Sequence, residues 1–259
     1  MVEGGHPMVA PNHHLIAQGI KRAFKADDGT ELVALSDFDL EAKQGEVVAL
    51  IGPSGCGKST FLRLVAGLDT PQSGELTYNG SPITGPDPNR GFVFQQANLY
   101  PWLTVEKNVA FGLKANGTYK ENRHRVQEMI DLMGLAGFEK SYPHQISGGM
   151  AARVAIAQTL VMDPDVLLLD EPLSALDAFT RAVIQDEILA MCVKFKPIVL
   201  LVTHDIEEAV YLADRVVVLS PRPGTKVAEI PVDLPHPRDR ISSEFIAKRH
   251  EILNALRFE

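Results

Sequence analysis

Residues 52–60 read Gly-Pro-Ser-Gly-Cys-Gly-Lys-Ser-Thr, and no other stretch of the 259-residue chain restricts its fold as tightly. Just before it, Val47-Val48-Ala49-Leu50-Ile51 is a β-branched apolar run that reads as a buried strand. After it, residues 61–66 are apolar at helical spacing and end at Gly67, a residue suited to a helix C′ position. Strand, glycine-rich turn and helix are the context that the G-x-x-x-x-G-K-S/T phosphate loop requires. A polyphosphate needs several donors converging on one point, and backbone N–H groups provide them where no Cβ intervenes. Gly52, Gly55 and Gly57 meet that need and allow positive φ where the loop curls. The helix start adds free N–H groups and the positive end of its dipole. Lys58 is expected at the β- and γ-phosphates and the Ser59 hydroxyl at Mg²⁺, with Pro53, Ser54, Cys56 and Thr60 completing the loop. The alternative is a turn that merely joins strand to helix; the whole motif in its proper setting favours a nucleotide site.

The totals narrow the surroundings of that site. A length of 259 residues suits one large α/β domain or two small ones, and 45% hydrophobic with 22% charged residues is a soluble globular composition. A formal charge of −8 argues against bulk binding of nucleic-acid backbone, while leaving room for a local basic patch. Cys56 and Cys192 offer neither a disulfide framework nor zinc spacing, which points to a reducing cytosol. Cys56 reads as an inert small residue, with thiol reactivity as the alternative. Apolar runs are strand-sized, none approaching a membrane span, and residues 1–14 read as a disordered lead-in without a signal pattern. His13-His14 in such a tail reads as solvated rather than metal-binding.

Residues 15–25 and 32–40 are predicted as strands joined by a turn at Asp27-Asp28-Gly29, and a second turn at residues 43–46 leads into the phosphate-loop strand. Strands this close, without helices between, predict a small antiparallel sheet beside a parallel core. Phe24 is a candidate for stacking on an adenine ring, although a lone Phe is more often core. Residues 74–88 read as turns and residues 91–95 as a strand ending in Gln95. The apolar loop Leu99-Tyr100-Pro101-Trp102-Leu103 is either packed or presented to a partner. Helices are expected from Thr104 to about Lys114, over 119–133 and over 148–162, a mostly helical insert with boundaries near residues 100 and 164.

Val166-Leu167-Leu168-Leu169 then restores the parallel-strand pattern and delivers Asp170 and Glu171 at the carboxyl end, where α/β sheets place active sites. Successive strand side chains point opposite ways, so the two acids divide their work: one holds Mg²⁺ beside Ser59, the other faces an attacking water. Residues 178–195 form a long helix, and residues 198–202 a further buried strand ending in Thr203-His204-Asp205. His204 is expected to read the γ-phosphate. A helix over 206–214, strands over 215–219 and 226–232 around a turn at 221–224, and a C-terminal helix capped by Ser242 or Ser243 complete the chain.

With these residues in hand, the chain resembles the ATPase subunit of an ATP-binding cassette (ABC) transporter from about Leu15 to its C-terminus. Lys58 and Ser59 fall in that family's Walker A motif, and Asp170 and Glu171 in its Walker B. Gln95 matches the Q-loop, Ser147-Gly148-Gly149 the signature, Ser174-Ala175-Leu176-Asp177 the D-loop, His204 the switch and Phe24 the adenine-stacking aromatic. The resemblance implies a single nucleotide-binding domain over residues 1–259. Its parts are a P-loop NTPase core with a mostly parallel sheet and an antiparallel β subdomain (15–98 and 164–240), a helical signature subdomain (about 99–163) and a C-terminal helix (241–259). It implies Glu171, His204, Lys58 and Gln95 in catalysis, with Ser59, Gln95 and Asp170 arranging Mg²⁺. It further implies two copies in a head-to-tail dimer, Ser147, Gly148, Gly149 and Asp177 of one gripping the ATP of the other.

Val93-Phe94-Gln95, the Trp102 loop, Ser220-Pro221-Arg222-Pro223-Gly224 and a short C-terminal helix resemble importer ATPases of the nitrate, sulfonate and taurine group. That implies a peripheral protein on the cytoplasmic face of the membrane. Its stretch from Tyr100 to Val105 would contact transmembrane permease subunits, and a periplasmic or extracellular solute-binding protein would act indirectly. Nucleic acid is not an expected partner. The signature departs from the family pattern at Met150, Ala151, Ala152 and Gln158, where Met150 keeps only a backbone donor. A soluble cassette ATPase acting on nucleic acid or ribosomes, and a non-hydrolysing nucleotide-binding scaffold, are the alternative functions.

Overall fold

The computed structural model describes residues 13–25, 29–174 and 176–257. The turn residues Asp27 and Asp28, the D-loop residue Ala175 and the lead-in over 1–12 lie outside the described residues. β1 (His14–Lys25) and β2 (Glu31–Lys43) pair antiparallel, and β3 (Val47–Ile51) leads through the phosphate loop into α1 (Lys58–Val65). β4 (Ser73–Tyr78) returns antiparallel to β1 and carries the two-residue β5 (Ser81–Pro82). β6 (Arg90–Val93) is followed by α2 (Val105–Val109), α3 (Phe111–Ala115), α4 (Tyr119–Leu132) and α5 (Gly148–Leu160). Then come β7 (Val166–Asp170), α6 (Ala178–Phe195), β8 (Ile198–Val202), α7 (Ile206–Leu212), β9 (Arg215–Leu219), β10 (Lys226–Pro231) and α8 (Ser243–Ala255). The strands form two sheets, ordered β2-β1-β4-β5 and β10-β9-β3-β8-β7-β6; the second is parallel except where β10 meets β9.

The parallel sheet is apolar on both faces, which is why its strands read as continuous hydrophobic runs. Val47, Ala49 and Ile51 of β3 face the helices α2 and α4–α7 in one core, while Val48 and Leu50 face α1 and the antiparallel sheet in the other. The period of two separates the faces. Phe38 of β2 and Phe61 of α1 meet edge to face at 4.8 Å in the second core, both fully buried. Burying a side chain of this size contributes about 1.5–3 kcal/mol, so α1 and the loop before it are clamped between the sheets. The far end of α7 is held by Arg238, 6% exposed, whose Nη1 donates to the carbonyls of Val210 (2.6 Å) and Ala213 (2.6 Å) at the helix terminus.

Several expectations change. Residues 74–88, read as turns, contain β4, whose Glu75-Leu76-Thr77-Tyr78 run is half of a strand pattern completed only by pairing with β1. The helix expected from Thr104 to Lys114 is two, joined at Ala110; Thr104 caps the first by accepting from Lys107 N. His13 and His14 are not a solvated tail: His14 opens β1 and pairs Nε2 with Glu41 at 2.8 Å. The His13 ring stacks on Tyr78 at 5.8 Å and hydrogen-bonds its hydroxyl. Among the described residues no helix is long and apolar enough to cross a membrane.

Candidate active site

Strand order, more than any local motif, assembles the site. β8 lies between β3 and β7 in parallel register, with Leu50 and Asp170 both opposite Val202. The segments leaving β3, β7 and β8 therefore emerge side by side at the carboxyl edge of the sheet. There they form a cleft of about 600 Å³, lined by Phe24, Leu32 and Ala34 on one side, the loop residues Ser54, Gly55 and Gly57–Thr60, and Gln95, Glu171, His204 and Arg222.

Within the loop the glycines divide their roles. Gly57 is at φ 102, and a Cβ there would meet the Ala34 carbonyl at 2.7 Å, so both conformation and space exclude a side chain. Gly52, expected to supply positive φ, does not; it is required by close packing, since a Cβ would meet the Leu219 carbonyl at 2.8 Å. Gly52, Pro53 and Cys56 form the back of the loop, Cys56 being 1% exposed. Lys58, 7% exposed, donates from Nζ to the Gly52 (2.7 Å) and Pro53 (2.9 Å) carbonyls, so its ammonium is curled inside the loop. Burial pushes the Cys192 thiol up to about 12, making it inert.

Ser59 Oγ donates to Asp170 Oδ1 at 2.9 Å. Burial raises the Asp170 carboxyl above the usual carboxylate range, opposed by the Ser59 bond, with the neighbouring Glu171 charge pushing the same way as burial. These hard oxygen donors fit Mg²⁺, which takes few protein ligands and keeps waters and phosphate oxygens. Among the described residues no group of three or more His, Cys, Asp or Glu side chains is placed to hold a metal.

Glu171 turns away from its neighbour by adopting φ 48, a left-handed conformation costing roughly 1–3 kcal/mol for a non-glycine residue. Its N–H still pairs with the Val202 carbonyl at 2.9 Å, so β8 holds the strained residue. Gln95 Nε2 donates to Glu171 Oε2 at 3.2 Å, and His204 Nδ1 lies 3.1 Å from the same oxygen. A carboxylate only accepts, which puts the imidazole proton on Nδ1. Both donors hold one oxygen, leaving Oε1 to accept a proton.

Phe24, 40% exposed, presents its ring at the cleft with the Arg22 guanidinium 4.7 Å from its centroid. Ser147, Gly148, Gly149 and Asp177 do not line their own chain's cleft. Ser147 caps α5 by accepting from Met150 N at 3.2 Å, so the backbone donor expected to remain at Met150 is taken. Asp177 caps α6, accepting from Phe179 N (3.1 Å) and Thr180 N (3.0 Å), and these bonds lower its carboxyl.

Sequence reading missed three residues, one shaping the Trp102 loop and two beside His204. Asn108, fully buried, accepts from Tyr100 N at 2.8 Å and donates to the Leu103 (3.0 Å) and Thr104 (3.1 Å) carbonyls, shaping the loop that exposes Trp102 to 71%. Arg181 links the Leu176 carbonyl (2.9 Å) to Asp205 (3.0 Å), the residue after His204. Glu208, 4% exposed, accepts from the Thr203 hydroxyl. Burial pushes this carboxyl from 4.5 to about 7, opposed by the Thr203 bond. The folded state thus holds a proton that the unfolded chain has released between those values, and the stability this supplies is lost as pH rises through about 7. Glu208→Gln is expected to remove that loss, gaining on the order of 2–3 kcal/mol over the parent at about pH 8.5 relative to pH 4. Denaturant unfolding at both pH values reads it; parallel pH dependence in the two proteins would show that Glu208 does not titrate in this range.

A sequence-family model described as ABC transporter matches residues 35–174. An uncharacterized ABC transporter ATP-binding protein of Methanocaldococcus jannaschii is 49% identical over 233 residues, covering 90% of this chain and 87% of the relative. This chain belongs to the ABC transporter family. The aliphatic sulfonates import ATP-binding protein SsuB of Bacillus subtilis is 44% identical over 235 residues, 91% of each. The dimeric structure of the bacterial ABC transporter cassette MJ0796 superposes with a TM-score of 0.76 at 32% identity, covering 85% of this chain and all of that one. The fold is accordingly that of an ABC ATPase, with its P-loop NTPase sheet, antiparallel sheet and inserted helices.

Proposed function

We propose that this chain is the ATP-hydrolysing subunit of an ABC importer, seated at the cytoplasmic face of the membrane and powering uptake of a small solute such as nitrate, a sulfonate or taurine. The observation that carries the hydrolytic reading is Glu171, whose Oε2 is held by Gln95 and His204 while Oε1 is left unbonded at the mouth of the phosphate loop. Oε1 accepts the proton of the attacking water; the Gln95 amide orients the carboxylate, and the His204 Nδ1–H exchanges Glu171 Oε2 for a γ-phosphate oxygen. Lys58 exchanges the Gly52 and Pro53 carbonyls for phosphate oxygens. Ser59 and Asp170 would hold Mg²⁺ with Gln95 near it, which when bound neutralises developing phosphate charge. Phe24 stacks on adenine.

The signature residues complete a second copy's site. The Gly148 and Gly149 N–H groups open a helix of 13 residues with no Cβ in the way, and the Ser147 hydroxyl proton is free to donate. Support for two copies closing head to tail comes from their position away from their own cleft and from the dimeric cassette MJ0796, whose post-hydrolysis structure is bound to ADP and Pi. Three or four charge-assisted hydrogen bonds, each worth about 1.5–3 kcal/mol, present with ATP and reduced with ADP, suffice to drive closure and release. Separate permease subunits dock on the groove of about 360 Å³ formed by Trp102, Leu103, Lys107, Phe111, Lys114 and Ala115, with the Tyr100 to Val105 stretch at its rim. A solute-binding protein acts through them. The import reading and the solute class rest on the SsuB relatives.

Affinity purification from membranes of the source cell, followed by phosphate release in proteoliposomes, tests it. The expected result is a co-purifying permease and hydrolysis stimulated by solute-loaded binding protein. Recovery with nucleic acid or ribosomes alone would overturn it.

A further inference from the structure

The turn between β9 and β10, Ser220-Pro221-Arg222-Pro223-Gly224, is tied by its backbone to β2 and by Arg222 to the phosphate loop. Gly224 N–H donates to the Ala34 carbonyl at 2.9 Å, and its carbonyl accepts from Ser36 N at 3.1 Å. A Cβ on Gly224 would meet the Cys56 carbonyl at 1.9 Å, so the turn lies directly on the loop. Two prolines flank Arg222 and restrict the backbone that carries it. Its Nε donates to the Gly55 carbonyl at 3.1 Å, and a Cβ on Gly55 would sit 2.7 Å from Arg222 Nη2.

Arg222 is exposed and lines the cleft with Ser54, Gly55 and Lys58. One of its five N–H donors is engaged by the protein, and among the described residues no carboxylate lies within ion-pair distance. Lys58 donates to two loop carbonyls until phosphate oxygens replace them, and Arg22 beside Phe24 pairs with Asp69 at 2.8 Å. In a chain of net charge −8, an unpaired guanidinium fixed over the loop that cradles phosphates is a recognition element for an anion.

We infer that Arg222 is a nucleotide-binding residue, its guanidinium hydrogen-bonding the phosphate chain of the nucleotide in the cleft of the same subunit. The inference rests on the nucleotide-site reading above and adds a wall to it: the β9–β10 turn is part of the site.

The test is calorimetric titration of MgADP into the full chain and its Arg222→Met and Arg222→Lys variants, with thermal unfolding of each without nucleotide. The methionine variant keeps the stem and loses the charge; its Kd is expected to rise roughly ten-fold. That gap should narrow at high salt, because the guanidinium is exposed. The lysine variant should keep most of the affinity, and all three should melt together. In steady-state hydrolysis the methionine variant should raise KM for MgATP and leave kcat within about two-fold. An unchanged Kd in Arg222→Met overturns the inference while the nucleotide site stands. Equal weakening in both variants with lowered melting temperatures also overturns it, because Arg222 would then only pin the turn to the loop. Failure of the parent to bind MgADP removes the nucleotide-site reading itself, and this inference with it.

Discussion

Glu171→Gln is expected to lower ATP turnover by roughly 10²–10⁴-fold, the range for removing a general base, while MgATP binding survives. The substitution is nearly isosteric, and an amide oxygen can still accept from Gln95 and His204, so the constellation at the end of β7 keeps its shape. The side chain loses only its proton-accepting oxygen. Among the described residues no hydrogen bond or ion pair joins Glu171 to the phosphate loop, so the bonds of the groups that would hold the triphosphate are unaltered. With hydrolysis blocked, the ATP-loaded subunits should accumulate as a dimer that the parent forms only transiently. Single-turnover phosphate release and size-exclusion chromatography with MgATP read the two effects. Turnover at the parental rate would mean that another group takes the proton; monomers under saturating MgATP would remove the head-to-tail reading.

His204→Ala is expected to cost roughly 10²–10³-fold in kcat, the magnitude for losing one oriented hydrogen-bond donor at a reacting phosphate. The His204 side chain is 66% exposed and supports no core, so the melting temperature should not move. The change removes one of two donors from Glu171 Oε2 and the ring that would face the γ-phosphate. Gln95 then holds the carboxylate alone. Nucleotide affinity should change little, because Lys58 and the loop amides are untouched, and the split between kcat and binding is the discriminating readout. An unchanged kcat would leave His204 with only its bond to Glu171 and no part in turnover.

Much of this site was legible before any coordinates. The phosphate loop announces itself because its glycines, Lys58 and Ser59 are contiguous, and contiguity makes local geometry nearly sufficient. Asp170, Glu171 and His204 were legible because each ends a run of buried aliphatics, and a parallel sheet turns strand ends into a shared edge. Phe24 was a weak candidate from its place before the nucleotide loop and was strengthened by resemblance, whereas Gln95 was assigned a role only by resemblance. Arg222 was not read as a site residue, since a Pro-Arg-Pro-Gly turn after β9 says nothing about where it lands. Asp177, placed by resemblance at the ATP of a second copy, also caps α6, and the backbone N–H that Met150 keeps is engaged in the cap of α5.

The division has a physical basis. Periodicity and capping are properties of neighbours along the chain, so the run of residues alone determined β3, β7, β8, α5 and α6 and the apolar character of both sheet faces. Strand order depends on packing summed over two whole cores, which no short segment carries. Tertiary structure alone set β8 between β3 and β7, joined Gln95 and His204 on one oxygen of Glu171, and laid β9 beside β3 with Ile51 opposite Val218. That last pairing brings the two following turns together, and with them Arg222 over Gly55.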